Sequence, residues 1–168
     1  GNRVVNLLDS YRTIKQNGSR YESIRANFFA NDEYEAHYIC SGAGRAGIWD
    51  GKYWSRIFAI NPKQENADDL DKPRHVGVHA FHLFLGYQSG SVQHSAPGEP
   101  NNFSAFDGAG EIGIGDRVHG FNRLQGNAFG VFCEDSVHAI TGSSAGDFAT
   151  QTIVPNEGAL EYSVASFG

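Results

Sequence analysis

The sequence predicts an all-β fold in which antiparallel four-stranded sheets are arranged as the blades of a partial β-propeller. A strand–turn–strand unit recurs roughly every 40 residues, a repeat length typical of propeller blades. Its copies occupy residues 48–54, 83–92 and 129–140. The 168 residues include 21 Gly, 12 Phe and 7 Tyr, as expected for many short strands joined by tight turns. Sustained helical spacing of apolar residues is lacking.

Strands are expected, in chain order, wherever apolar or alternating segments lie between turn residues. The first part of the chain predicts strands at 21–29 and 34–40 and a hairpin at 48–60. The middle part predicts either a strand pair or one bent strand at 74–85, and then a short strand at 111–114. The last part predicts a meander with a fourth partner strand, at 118–124, 128–133, 136–141 and 151–154.

Two polar segments that contain proline, 61–72 and 93–106, are expected as surface loops. Residues 1–168 are expected to form a single β-propeller-like region of about three to four blades, which is fewer than most closed propellers have. The chain begins with Gly1 and contains no Met, and its last residues resemble a strand cut in mid-course. We therefore expect a piece of a longer polypeptide.

Three glycines are predicted to have positive φ at turns. Gly51 follows Asp50, and Asp-Gly is a preferred pair in two-residue hairpin turns. Gly90 and Gly142 lie in serine-rich segments between predicted strands, where glycine adopts positive φ without a steric cost. A β-branched residue at any of these positions is expected to destabilise the fold.

The charge of the chain argues against a protein that grips nucleic acid. The formal net charge is −6, and Lys and Arg residues are scattered rather than clustered on one segment. Cys40 and Cys133 lie in separate apolar strands and are expected to be buried free thiols. The sequence has no signal-peptide pattern and no apolar run of membrane-spanning length.

Glycine and histidine motifs resemble cofactor and metal sites in their spacing, but each lacks the structural context that such a site requires. The runs at 42–47 and 108–113 match the dinucleotide-binding fingerprint in letters, but that site needs a helix opening at the glycines. The first run leads into a strand, so no cofactor is assigned. His75, His79 and His82 have a metal-like spacing. On one strand, His75 and His79 would share a face about 13 Å apart and His82 would face away, so no metal is assigned.

A hydrolytic set can be drawn from Ser95, Ser136, His138 and Asp135. No Gly-x-Ser-x-Gly elbow supports a serine nucleophile, and hydroxyl residues are frequent in turns. No catalytic residue is therefore assigned.

A carbohydrate-binding or glycan-cleaving propeller is an alternative. Trp49, Tyr53 and Trp54 could line a sugar-binding surface beside the acidic residues at 68–71. Aromatic residues at alternating strand positions more often pack between sheets, and the aspartate box of sialidase-type propellers is absent from the sequence. A partner-binding propeller of cellular origin is the third alternative.

Several motifs in residues 71–167 occur in a distinctive order. A Ser-x-x-Gly-x-Pro turn lies at 95–100, a Gly-Asp turn at 115–116, and a Gly-Ser-x-x-x-x-Phe turn at 142–148. In this order the motifs resemble the β-propeller part of tail-hub proteins of tailed bacteriophages, which are also named nozzle, tubular or DNA-stabilisation proteins. Residues 38–60 fit that pattern more loosely, and members of the family are several times longer.

The resemblance implies a structural virion protein and not an enzyme. Such a protein forms part of the hub or nozzle that connects to the portal and closes or conducts the DNA exit channel. Its partners would be other tail and portal-proximal virion proteins and further copies of itself in a homo-oligomeric ring. DNA would pass nearby without sequence-specific binding. The protein would reside in the virion tail after assembly in the host bacterial cytoplasm, and no catalytic, cofactor-binding or metal residue is implied.

Overall fold

The computed structural model describes residues 20–28, 35–59 and 72–165. In this part of the chain, twelve strands form three antiparallel sheets of four strands each. Helix is limited here to one 3-10 turn, Ala105–Asp107. No helix in the described ranges has the length and apolar character needed to cross a membrane. The predictions of an all-β fold and of four-stranded antiparallel sheets are confirmed.

Each sheet is a meander in which every strand pairs with the next strand in the chain. The first sheet contains β1 (Glu22–Ala26), β2 (Ala36–Cys40), β3 (Gly47–Trp49) and β4 (Trp54–Arg56). The second contains β5 (His75–His79), β6 (His82–Gly86), β7 (Ser91–His94) and β8 (Gly110–Gly113). The third contains β9 (Val118–Arg123), β10 (Ala128–Cys133), β11 (Ser136–Thr141) and β12 (Ala149–Pro155).

The three predicted strand–turn–strand units are the hairpins β3–β4, β6–β7 and β10–β11. Gly51, Gly90 and Gly142 have φ angles of 90°, 82° and 111°, which confirms the positive φ expected of them. At the first turn, the Asp50 carboxylate also accepts hydrogen bonds from the backbone N–H groups of Lys52 and Tyr53, at 2.9 and 2.6 Å.

The segment 74–85 is a strand pair and not one bent strand. The chain reverses between β5 and β6 through Ala80 and Phe81, whose φ angles are 47° and 62°. Positive φ at both central residues is the geometry of a type I′ turn, which Asn and Gly normally occupy. The sequence left both readings open because this turn contains neither residue.

The two predicted loops have different outcomes. Residues 60–71 lie outside the described residues, so the expected loop at 61–72 is described only at Lys72. The segment 93–106 begins in a buried strand, because Gln93 and His94 belong to β7 and pair with both β6 and β8. The exposed part of this segment begins at Pro97 and includes Phe106.

The second sheet lies between the other two and has a buried core on each face. Leu83 and Leu85 pack with residues of the first sheet such as Tyr38 and Ile48. Phe84, between those two leucines, packs instead with residues of the third sheet. This alternation follows the two-residue period of a strand. It explains why β6 is apolar at consecutive positions, since both of its faces are covered.

Neighbouring sheets approach each other at their first strands, because β1 contacts β5 and β5 contacts β9. Glycines in the second sheet make room for this approach. A Cβ atom on Gly77 would lie 2.6 Å from Cζ of Phe129, and one on Gly86 would lie 2.7 Å from Cγ1 of Val118. A larger residue at either position would separate the second and third sheets.

A return segment, residues 157–165, runs back from β12 to the first strand of its own sheet. The N–H of Ala159 donates to the Cys133 carbonyl at 2.8 Å, and the N–H of Tyr162 donates to the His119 carbonyl at 3.2 Å. The return segment therefore brings Glu161 and Tyr162 to the place where the first strands meet.

Candidate functional site

A polar cluster lies where the first and second sheets meet the return segment. His75 of β5 is fully buried, and its Nδ1 is 2.8 Å from Oε2 of Glu22 on β1. The other Glu22 oxygen accepts the N–H of Val76 at 2.9 Å. Oε1 of Glu161 lies 3.8 Å from Nε2 of His75. The imidazole thus lies between two carboxylates contributed by different parts of the chain.

Two arginines complete this cluster. Nη1 of Arg74 donates to Oε1 of Glu161 at 2.8 Å, and the guanidinium of Arg20 lies 4.6 Å above the Tyr162 ring. Burial, and then the Glu161 carboxylate, raise the pKa of Tyr162. These contacts tie the first sheet, the second sheet and the return segment together.

Two open clefts flank the cluster and share Arg20 and Tyr162 as lining residues. One has a volume of about 270 Å³ and lies between β1 and β9, with His119 in its wall. The other has a volume of about 300 Å³ and is bounded by Ser41, Arg74 and other residues. The clefts have polar walls. Because Arg74 already forms an ion pair with Glu161, its positive charge is largely neutralised within the protein.

The predicted orientation of the histidines is wrong for His82. His79 and His82 are directly opposite each other across the β5–β6 turn, so they share a face of the sheet. His94 of β7 pairs with Phe84 and lies on the same face. Across the described residues, no three His, Cys, Asp or Glu side chains are arranged to hold a metal ion. The three histidines instead pack among phenylalanines, with His82 and His94 5.2 Å apart at their ring centroids.

The structure brings together only part of the hydrolytic set. Ser136 Oγ lies 2.9 Å from Nε2 of His138 and donates to Oδ2 of Asp116 at 2.6 Å. Asp135 contributes its backbone N–H to the same Asp116 oxygen. Ser95 lies apart from them, directly after β7, and its hydroxyl accepts the N–H of Leu83 and donates to the carbonyl of Ala96.

The hydrogen bonds around Ser136 run in one direction. Its single hydroxyl proton is donated to Asp116, so Nε2–H of His138 is the donor to Ser136 Oγ. Nδ1 of His138 then accepts from Thr152 Oγ1 at 3.2 Å. In a serine-hydrolase triad the imidazole accepts the serine proton and the carboxylate holds the imidazole. Here the Asp116 carboxylate accepts the serine proton itself. This hydrogen-bonded set links the β8–β9 connection to the β10–β11 hairpin.

We expect Asp116→Asn to lower the free energy of unfolding by about 1 kcal/mol at pH 7, a small value because Asp116 is only half-buried. Burial raises the pKa of Asp116, but hydrogen bonds from Ser136, Asp135 and Arg117 outweigh it, so the pKa is lowered. A lowered carboxyl pKa adds stability above the unfolded value of about 3.9, and this is lost as the pH falls through the folded value.

Urea unfolding at pH 7 and pH 3 measures this effect, with Asp135→Asn as a control that removes the same charge from an exposed neighbour. The difference between the wild type and Asp116→Asn should shrink at pH 3. A difference that is equal at both pH values would contradict a role for the ionised carboxylate.

The expected buried free thiols are confirmed at Cys40 and Cys133. Burial, and then the nearby Glu22 carboxylate, raise the pKa of Cys40. Burial, and then Asp116, raise the pKa of Cys133 to about 12. Since the thiolate is the reactive form, both residues are chemically quiet in the folded chain.

The tryptophans do not form one sugar-binding surface. Trp54 is 5% exposed, and its ring covers Gly47 so closely that a Cβ atom there would lie 2.0 Å from Cζ2 of Trp54. Trp49, its cross-strand neighbour, is 37% exposed. The acidic residues at 68–71 lie outside the described residues.

The glycine runs lead into strands. Gly47 is the first residue of β3, and Gly110 is the first residue of β8. Neither run therefore opens a helix that could hold a pyrophosphate.

The comparisons with known proteins identify no relative, so the function of the chain is inferred from the geometry described above. No family model, curated protein or solved structure matches the chain. The resemblance to phage tail-hub proteins consequently stays a prediction.

Proposed function

We propose that this chain is a structural protein of a phage tail, part of the hub or nozzle that connects to the portal and closes or conducts the DNA exit channel. In this proposal the three sheets are blades of a partial β-propeller. The observation that carries it is the meeting of the first strands, since β1 contacts β5 and β5 contacts β9. A cleft lined by residues of both β1 and β9 fits a central axis between them.

The chain path supports this arrangement. Each sheet runs in order from its first strand to its fourth. The chain returns from β8 to β9 through only residues 114–117, and the return segment leads back to β9 after β12. Repeated passage from an outer strand to an inner one is how consecutive propeller blades are connected.

The outer strands suit a protein that works by assembly. β4, β8 and β12 each pair on one side only among the described strands, and unpaired strand edges are places where chains associate. The net charge of −6 and the scattered basic residues suit the wall of a channel through which DNA passes. Binding of the DNA phosphates would require clustered basic residues.

Immunogold labelling of tailed virions tests the proposal, together with the identity of the genes that flank the coding sequence. We expect label at the junction of tail and capsid, and neighbouring genes for portal, capsid or tail proteins. Label confined to the cell and absent from purified particles, with metabolic genes on both sides, would contradict the proposal.

A carbohydrate-binding propeller is the second candidate, and exposed aromatic side chains favour it. Trp49, Tyr53 and Phe58 are 37%, 47% and 61% exposed within a short stretch of the first sheet. Specific binding on a glycan array, lost in Trp49→Ala and kept in Phe106→Ala, would support this candidate over the structural one.

A further inference from the structure

A loop of the third sheet docks onto the second sheet through one aromatic side chain. We name residues 142–148, between β11 and β12, the latch, and the side chains of His79, His82, Phe84 and His94 the socket. Phe148 of the latch lies against every socket ring. The centroid distances from Phe148 are 6.1 Å to His79, 5.0 Å to His82, 5.6 Å to Phe84 and 5.0 Å to His94.

The latch has its own internal hydrogen bonds. Asp147 accepts the backbone N–H groups of Ser143 and Ser144 at 3.0 and 2.6 Å, and it also accepts the Ser144 hydroxyl at 2.8 Å. These bonds do not involve the second sheet. Among the described residues, the ring contacts of Phe148 join the latch to the second sheet, and so does a hydrogen bond in which His79 Nε2–H donates to the Gly142 carbonyl at 3.1 Å.

The socket accommodates neutral imidazoles and not imidazolium ions. His79, His82 and His94 are only 6%, 0% and 3% exposed. Nδ1–H of His82 donates to the Ala80 carbonyl at 2.6 Å, while its Nε2 is buried without a hydrogen-bond partner in the described structure. A proton added there would create a buried charged donor with no acceptor, which is strongly unfavourable.

The charges around the socket do not remove this penalty. From the third sheet, Arg123 opposes protonation of His79, and Asp147 favours protonation of His82. Within the second sheet, His82 opposes protonation of His79 and His94. Asp147 itself is exposed and already engaged with Ser143 and Ser144. Burial is the largest influence on all three histidines and lowers the pKa of each.

We propose that the latch is released by acid: protonation of the socket histidines expels Phe148 and opens residues 142–148 while the three sheets stay folded. In the open latch, the histidines are exposed to water and their pKa returns to its ordinary value. The closed latch is therefore fully favoured above about pH 6.5, the ordinary histidine value. It loses stability as the pH falls from there through the lowered values of the closed state. The other members of the core between these sheets, including Val118, Val131 and Ile140, carry no group that titrates between pH 5.0 and pH 7.5, since the pKa of the Cys133 thiol is raised to about 12.

Hydrogen–deuterium exchange at pH 7.5 and pH 5.0, corrected for the intrinsic exchange rate at each pH, tests the proposal. Because each proton taken up can shift the opening equilibrium by up to tenfold per pH unit, we expect protection of residues 142–148 to fall roughly tenfold or more. Peptides from β10 and β11 should keep their protection. If the protection of residues 142–148 is the same at pH 5.0 as at pH 7.5, or if β10 and β11 lose as much protection as the latch, the proposal is overturned.

Substitutions assign the effect to the socket. His82→Phe keeps a ring and removes the titrating group, so it should weaken the pH dependence of latch exchange severalfold. His37→Gln, at an exposed position of β2, should leave the pH dependence unchanged. If His82→Phe does not fold, the imidazole Cε1–H resonances of the wild type provide the test. All socket histidines titrating with ordinary pKa values, without effect on the Phe148 resonances, would also overturn the proposal.

Discussion

Phe84→Ala should lower the free energy of unfolding by about 3–5 kcal/mol, the usual cost of removing a large core aromatic residue. Phe84 is completely buried and packs against Phe129 and Phe148 of the third sheet at centroid distances of 5.0 and 5.6 Å. Its loss leaves a cavity between two sheets whose glycines already bring the backbones close together. Urea unfolding followed by circular dichroism measures the change.

Phe106→Ala provides the matched control for Phe84→Ala. Phe106 lies in the 3-10 turn and is fully exposed, so the same substitution should change the free energy of unfolding by less than about 0.5 kcal/mol. Similar losses at the two positions would mean that the second and third sheets do not pack through Phe84.

Gly142→Val should destabilise the chain by about 3–5 kcal/mol, because a strained backbone and a steric clash act together. Gly142 has a φ of 111°, and a Cβ atom there would lie 2.5 Å from the Asp147 carbonyl oxygen. That oxygen belongs to the backbone and cannot move without disrupting the latch. Thermal and urea unfolding measure the loss.

Gly51→Val separates the two contributions. Gly51 has a φ of 90°, but a Cβ atom there would have no neighbour within 4 Å. Only the backbone strain remains, so we expect a loss of about 1–2 kcal/mol. A Gly51→Val variant as unstable as Gly142→Val would indicate that the described geometry of the latch is wrong.

The third sheet was the most predictable part of the fold from the sequence. Its strands β9, β10 and β11 have nearly the predicted bounds, because apolar alternation is interrupted by clear turn residues such as Gly126 and Gly142. β12 is longer than predicted. Its outer position leaves both faces largely exposed, so no alternation of apolar and polar residues extends to Ala149, Thr150 and Pro155.

The β5–β6 turn accounts for the main error at the candidate site. Ala80 and Phe81 adopt positive φ without the residues that normally indicate such a turn. If this segment were one continuous strand, the side chains of His79 and His82 would lie on opposite faces of the sheet. The turn instead makes them cross-strand neighbours, and the socket could not be inferred without it.

Other parts of the site depend on long-range contacts. Asp116 lies in the connection between the second and third sheets, and Ser136 begins β11 in the third sheet. Glu22 and His75 also lie on different sheets. Strand periodicity gives the face on which a side chain lies, but it does not give the neighbouring sheet that this face will meet. Sequence motifs therefore suggested separate residues and missed the partners Asp116, Glu22 and Glu161.

The most direct test of the radial arrangement is a pair of spin-label distances between the first and third sheets, in a background that lacks Cys40 and Cys133. The inner pair is Ser23→Cys on β1 with Arg123→Cys on β9, and the outer pair is Arg56→Cys on β4 with Gln151→Cys on β12. Each outer strand lies three strand spacings, about 14 Å, from the first strand of its sheet. Sheets that radiate from a common axis predict an outer distance longer than the inner one by roughly 10–25 Å. Equal inner and outer distances, as in sheets stacked in parallel layers, would contradict the radial arrangement.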